Sequence, residues 1–188
     1  PAPWLLEAMS GRYNADPIPL DTIDLEAFAA WREACLGNRY TCDMVAEGES
    51  LADLMRIVAS CGYARPYQSE IWGVIRDRDR SAEAPVQVFS PSNLSAFQWT
   101  KAFARPPAGL RVTYRDAVQG DKERQVTVFR PGSVGTDTRV EQVSYEGLVD
   151  EDKVIRRARF DLAQATHRST FFSFTAPAEA LRCRRGSL

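Results

Sequence analysis

Histidine is nearly absent: His167 is the only one in 188 residues. A serine–histidine–acid triad would have to use that single imidazole. It stands between Thr166 and Arg168 at the end of a helical stretch, where a cation suits the helix dipole, so a structural role is expected. The four cysteines, Cys35, Cys42, Cys61 and Cys183, show no C-x-x-C spacing and no histidine companions, which argues against zinc. Cys35 and Cys61 fall on apolar helix faces and are expected as buried free thiols, in keeping with a reducing assembly compartment. A net charge of −1 gives no global attraction to nucleic acid or to an anionic membrane. No apolar run approaches the roughly 18–20 residues of a membrane span, and Pro1 opens no secretory signal pattern. Phosphate loops are missing too: Gly132 and Gly135 lack the lysine and the following helix. There is no Asp-x-Asp-x-Asp-Gly calcium loop. No catalytic, cofactor-binding or metal-binding residue is assigned, and no cofactor is implied.

What is present is the composition of an ordinary globular protein, 44% hydrophobic and 26% charged. The length fits one domain or two small ones and needs no disulfide or metal staple. The missing initiator Met and the abrupt end at Arg184-Arg-Gly-Ser-Leu188 lead to the expectation of an internal piece of a longer polypeptide.

The first part is helical. Trp4–Met9 predicts a short helix closed by Ser10-Gly11, and residues 13–20 an irregular connector. Asp24 is placed as an N-cap with Ile23 and Phe28 as a hydrophobic staple, and Gly37-Asn38 as the stop. Tyr40–Ala46 predicts a strand. Ser50-Leu-Ala-Asp53 has capping-box spacing, with Leu51, Leu54, Met55, Val58 and Cys61 as the apolar stripe and Gly62 as the C-terminal stop. Residues 63–67 and 71–76 predict a hairpin around Gln68-Ser-Glu70.

From Val86 the pattern turns to β. Candidate strands are 86–89, 94–103, 110–116, 125–130 and 138–145. Leu110, Val112 and Tyr114 alternate with Arg111, Thr113 and Arg115, which predicts one dry and one wet face. Gln119-Gly-Asp121 and the longer, mobile Pro131–Gly135 are expected turns. The last fifth organises the rest: a helix over 150–167 with Asp150, Glu151 and Asp152 at its N-terminus and Ile155, Ala158, Leu162 and Ala165 on one face. A strand over 170–175 and the start of another element at Leu181 follow.

Three further features carry chemistry in principle. Arg76-Asp-Arg-Asp-Arg80 with Glu83 pairs carboxylates, which can do acid–base work, but the interleaved arginines predict a self-neutralising turn. Lys153, Arg156, Arg157, Arg159, Arg168, Arg182, Arg184 and Arg185 outnumber Asp161 and Glu179, a basic face suited to an acidic protein surface or, less well, to nucleic acid. Phe160 on that polar side hints that something covers it. Trp72, Phe97, Trp99 and Phe103 would make a sugar platform only if exposed; in β-rich segments they are expected as core.

Taken in order, several of these pieces resemble the tail-tip hub proteins of siphophages, the host-specificity protein J family with its prophage and gene-transfer-agent cousins. The pieces are Trp4-Leu-Leu6, Tyr13-Asn-Ala-Asp-Pro-Ile-Pro19, Ile23-Asp-Leu25 with Phe28, Tyr40-Thr-Cys42, Ser50-Leu-Ala-Asp-Leu54 and Trp72-Gly-Val-Ile-Arg-Asp77. They continue with Val88-Phe-Ser-Pro-Ser-Asn93, Gly109–Asp116, Tyr145-Glu-Gly-Leu-Val149, the run Arg157–Gln164 with Arg168, Phe172-Ser-Phe174, and Leu181-Arg-Cys-Arg184 with Gly186. Ser187 departs from the aspartate common there.

The resemblance implies an α+β, tail-hub-like fold: small β-barrel strands, a strand–helix–hairpin unit and a long bracing helix. The corresponding parts are a helical connector (1–39), the strand–helix–hairpin unit (40–85), and a β-rich, barrel-like part (86–188) with helix 150–167, cut short at its C-terminus. It implies a non-enzymatic virion structural component of a phage or prophage tail-tip or baseplate hub. Such a hub closes the tail tube and carries host-recognition parts. The runner-up is a carbohydrate- or protein-binding module at a tail tip. Implied partners are further copies of the chain as a homotrimer, other tail proteins, DNA passing through the tube lumen, and a host receptor reached through missing regions. The implied location is the virion tail tip, after synthesis in the bacterial cytoplasm.

Overall fold

The computed structural model describes all residues except 47, 102–105, 134–138, 184–185 and 187–188. Phe103, Gly135, Thr138, Arg184, Arg185 and Ser187, named above, lie outside the described residues. The chain divides into two compact units, residues 1–79 with 146–149, and residues 80–145 with 150–188. Its class is α+β: four α-helices, and strands in open sheets of two, two and three, with no closed barrel among the described residues.

The first unit is built around Trp31. Helix α1 (Ala2–Ser10), α2 (Leu25–Asn38) and α3 (Leu51–Cys61) pack with the hairpin of β1 (Ala64–Gln68) and β2 (Trp72–Arg76). Asp24 caps α2 by accepting from the Ala27 N–H, and Ser50 caps α3 by accepting from the Asp53 N–H. Both ends of the hydrophobic staple, Ile23 and Phe28, are buried. Leu5, Met9, Trp31 and Val58 form the driest part of the core, with the Phe28 ring edge-on to Trp31 at 5.9 Å. The β1–β2 hairpin pairs antiparallel in register Ala64↔Arg76 to Gln68↔Trp72, turning through residues 69–71.

Two local expectations fail here, each for a visible reason. Residues 40–46 are not a strand: they join no β-ladder among the described residues, and the Asp43 N–H reaches instead to the Gly147 carbonyl at 2.9 Å. Helix α2 ends at Asn38, at the expected Gly37-Asn38 stop, but the left-handed residue that closes it is Arg39 (φ 56°), whose N–H bonds back to Cys35 and Leu36. After α3 the left-handed residue is Tyr63 (φ 54°), not Gly62. Gly62 serves another need. The Trp31 Nε1–H donates to the Gly62 carbonyl at 2.9 Å, and the ring lies so close that a Cβ there would fall 2.6 Å from Nε1.

The second unit contains β3 (Ser95–Lys101), β4 (Gly109–Asp116), β5 (Lys122–Phe129), β6 (Val140–Ser144), α4 (Glu151–His167) and β7 (Thr170–Thr175), then a 3₁₀ turn at Ala178–Arg182. Strand β4 is central, with β5 antiparallel on one side and β6 parallel on the other. Its alternation holds: Leu110, Val112 and Tyr114 are buried, while Arg111 and Arg115 are exposed. Helix α4 packs on β4 and β5. Its stripe is rotated from the one expected: Val154, Ala158 and Leu162 are buried, whereas Ile155 and Ala165 are half-buried. Asp150 caps it by accepting from the Asp152 N–H. Residues 86–89 form no strand. The chain there folds into a turn held by Asn93, whose side chain accepts from the Ser90 N–H and donates to the Val88 carbonyl.

Candidate functional site

Two features of the second unit concentrate chemistry. The first is a polar network joining sheet to helix. Tyr114 points from the buried face of β4 and donates to Glu151 Oε2 at 2.9 Å, in the first turn of α4. Arg124, on β5, donates to Asp116 Oδ2 at 2.9 Å and to Glu151 Oε2 at 3.2 Å. Asp116 is the only charged residue buried among those described. Its Oδ1 also accepts from the Val118 N–H, closing the turn after β4. The hydrogen bond from Arg124, first among several causes, holds the Asp116 carboxyl below the usual carboxylate range. Burial pushes the Tyr114 hydroxyl up to about 12, with help from its bond to Glu151. Each of these hydrogen bonds links residues of the fold to one another, as a brace between α4 and the sheet does. A second ionic clasp lies further along α4, where Arg157 Nε meets Asp161 at 3.1 Å and Asp161 accepts from the Tyr145 hydroxyl at 2.6 Å. The guanidinium of Arg157 stands 5.5 Å from the ring of the half-buried Phe160.

The second feature is an aromatic ribbon. Strands β3 and β7 pair antiparallel, Trp99↔Phe172 and Lys101↔Thr170, with an irregularity between Ser95 and Gln98. Ala96 sits at that irregularity with φ 51°. Every residue of both strands is exposed. Trp99 and Phe172 share a face through their pairing, and the Phe97 ring stacks on Phe172 at 5.8 Å. Phe174 continues that face and is met from outside by Phe89 at 4.9 Å. Relative exposure is 52% at Phe97, 64% at Trp99, 62% at Phe172 and 37% at Phe174. A two-stranded ribbon is marginal in water by itself, and contiguous apolar surface of this kind marks interaction sites. The expectation that Phe97 and Trp99 belong to the core is therefore wrong. Trp72, in the first unit, is half-buried against the core as expected.

The remaining sequence candidates do not converge. His167 is the exposed last residue of α4. Arg80 pairs with Glu83 at 2.6 Å, so that part of the charge run neutralises itself as expected. In the basic segment, Lys153 lies 3.5 Å from Asp150, beside the Arg157–Asp161 pair. No group of three or more His, Cys, Asp and Glu suited to a metal occurs among the described residues. No helix among the described residues is long and apolar enough to cross a membrane.

Fold and surface thus define an α+β protein with a braced sheet and an uncovered aromatic ribbon. No protein-family model matches the chain, and no curated protein matches it closely enough to count as a relative. Among solved structures it is similar to the crystal structure of the tail protein from Neisseria meningitidis MC58. The identity is 10% and the TM-score 0.49, over 79% of this chain and 49% of that one. The chain therefore spans about half the length of that protein, and a likeness of this size says nothing of what the chain does.

Proposed function

We propose that the chain is a non-enzymatic structural component of a phage or prophage tail, working at the tail-tip hub that closes the tube and carries host-recognition parts. The ordered sequence resemblance supports the hub role, and the β3–β7 ribbon is the observation that carries the assembly role. Phe97, Trp99, Phe172 and Phe174 present apolar area to water on two strands that pair with no third strand among the described residues. Covering them with protein recovers about 25 cal/mol per Å² of apolar surface removed from water. The occupants this role calls for are further copies of the chain, as a homotrimer, and neighbouring tail proteins. DNA in the lumen and a host receptor are met by the assembled hub. The working location is the virion tail tip, after synthesis in the bacterial cytoplasm.

Sedimentation of the chain and of a Trp99→Ser/Phe172→Ser double variant tests the assembly role. The wild type is expected to associate with rising concentration, toward a trimer. The variant is expected to remain monomeric with the same circular dichroism. A wild-type chain that stays monomeric, and does not bind neighbouring tail proteins through this ribbon, sinks the proposal.

The exposure of Trp99 also favours a second reading, a carbohydrate platform at the tail tip. Sugar sites combine aromatic faces with polar groups that fix orientation. Neither strand carries a carboxylate, which ranks this reading second. Glycan binding that Trp99→Ala abolishes, without change in sedimentation, would reverse that order.

A further inference from the structure

The first unit brings two cysteines together from separate segments. Cys42 lies in the extended stretch before α3, and Cys61 is the last residue of α3. Both thiols close on Gly147: a Cβ there would fall 2.8 Å from the Cys42 Sγ and 3.0 Å from the Cys61 Sγ. Gly147 adopts φ +76°, so backbone conformation and the two sulfurs both call for glycine. Backbone bonds fix the arrangement on two sides. The Asp43 N–H donates to the Gly147 carbonyl at 2.9 Å, and the Cys61 thiol donates to the Glu146 carbonyl at 3.5 Å. The other two cysteines are elsewhere: Cys35 is buried within α2, and Cys183 follows the last 3₁₀ turn of the second unit.

We propose that Cys42 and Cys61 are an oxidation site, a dithiol that closes to an intramolecular disulfide in the folded chain. Cys42 is the attacking group, because it is half-buried while Cys61 is buried. Cys61 is the main cause holding the Cys42 thiol below its ordinary range, since its S–H can turn from the Glu146 carbonyl to a Cys42 thiolate, which favours the nucleophilic form. Burial, by contrast, pushes the Cys35 thiol up.

The oxidant is a small-molecule disulfide such as oxidised glutathione. The Cys42 thiolate attacks one of its sulfurs, that S–S bond breaks, and one thiolate leaves and takes up a proton. Cys61 then gives up its proton and attacks the Cys42 Sγ of the mixed disulfide, expelling the second small thiolate, which is protonated in turn. Two protein thiols are oxidised, one small disulfide is reduced to two thiols, and atoms and electrons balance. The product ties the stretch before α3 to the end of α3.

The test is to incubate the folded 188-residue chain with oxidised glutathione, count free thiols after denaturation, and map the peptides. Two of the four thiols are expected to disappear, with a mass loss of two hydrogens and a Cys42–Cys61 cross-linked peptide. The unfolding midpoint is expected to rise by roughly 5–10 °C, reversibly with dithiothreitol. Cys42→Ser abolishes the cross-link, and a Cys35→Ser/Cys183→Ser chain keeps it. Should Cys42→Ser fail to fold, the wild-type peptide map decides alone. Four free thiols, a stable glutathione adduct on Cys42 beside a free Cys61, or a bridge through Cys35 or Cys183 would overturn the proposal.

Discussion

Trp31 shows how much one side chain can dictate. Its ring is fully buried, and its only polar atom donates to the Gly62 carbonyl. The same close approach leaves no room for a Cβ at Gly62, since Nε1, Cζ2 and Cε2 all fall within 2.8 Å of that position. Gly62→Ala is therefore expected to lose about 1–3 kcal/mol through overpacking, read from urea unfolding of the purified chain. Tyr114 makes a second prediction at this scale. Its hydroxyl is raised from an ordinary 10.0 to about 12 in the fold. The unfolded chain gives up that proton first, so the contribution is whole below pH 10 and lost as the pH climbs through 12. Unfolding free energies at pH 9, 10 and 11 should fall more steeply for the wild type than for Tyr114→Phe, which has no hydroxyl to titrate. The Phe variant should also lose about 0.5–1.5 kcal/mol at neutral pH with the bond to Glu151.

Among the elements, α4 and β4 form the clearest partnership. At about 1.5 Å per residue the 17-residue helix is about 26 Å long, which matches the eight-residue strands it braces at about 3.3 Å per residue. Leu162 sits in its buried stripe, and Leu162→Ala is expected to destabilise the chain by about 2–5 kcal/mol, measured by guanidinium unfolding. The existence of this helix was legible from its acidic first turn and its three–four spacing. Its rotation was not, because Val154 and Ile155 are adjacent and equally apolar, and only the shape of the sheet chooses between them. The β4 alternation was legible because one face is wet. The ribbon's strands were placed to within a residue over the described residues, yet their exposure was hidden: Phe97 and Trp99 look the same in sequence whether a second layer covers them or not. Residues 40–46 and 86–89 carry strand-like residues but find no partner strand among the described residues. Strand formation is a property of two segments, and one segment's composition does not report it. The thiol pair was hidden for a similar reason, since Cys42 and Cys61 meet through Gly147, far away in the chain.

At the scale of the whole molecule, the path of the chain matters most. It leaves the first unit after Asp79, returns for residues 146–149, and leaves again. That brief return supplies the buried Leu148, the Gly147 carbonyl that takes the Asp43 N–H, and the Glu146 carbonyl that takes the Cys61 thiol. A fragment of residues 1–79 is therefore expected to be less stable than the same unit in the full chain. Hydrogen exchange should show this as faster exchange of the Asp43 amide and of the amides at the end of α3. Equal protection in the fragment and the full chain would contradict it.

The four-residue return has a consequence for heredity as well. Where genes recombine, a module lying in one continuous stretch can be exchanged with a single cut at each border. Here a donor segment ending near residue 79 would arrive without the short piece its own interior was shaped around. A successful swap must either carry both units together or find a recipient whose residues 146–149 already fit the newcomer.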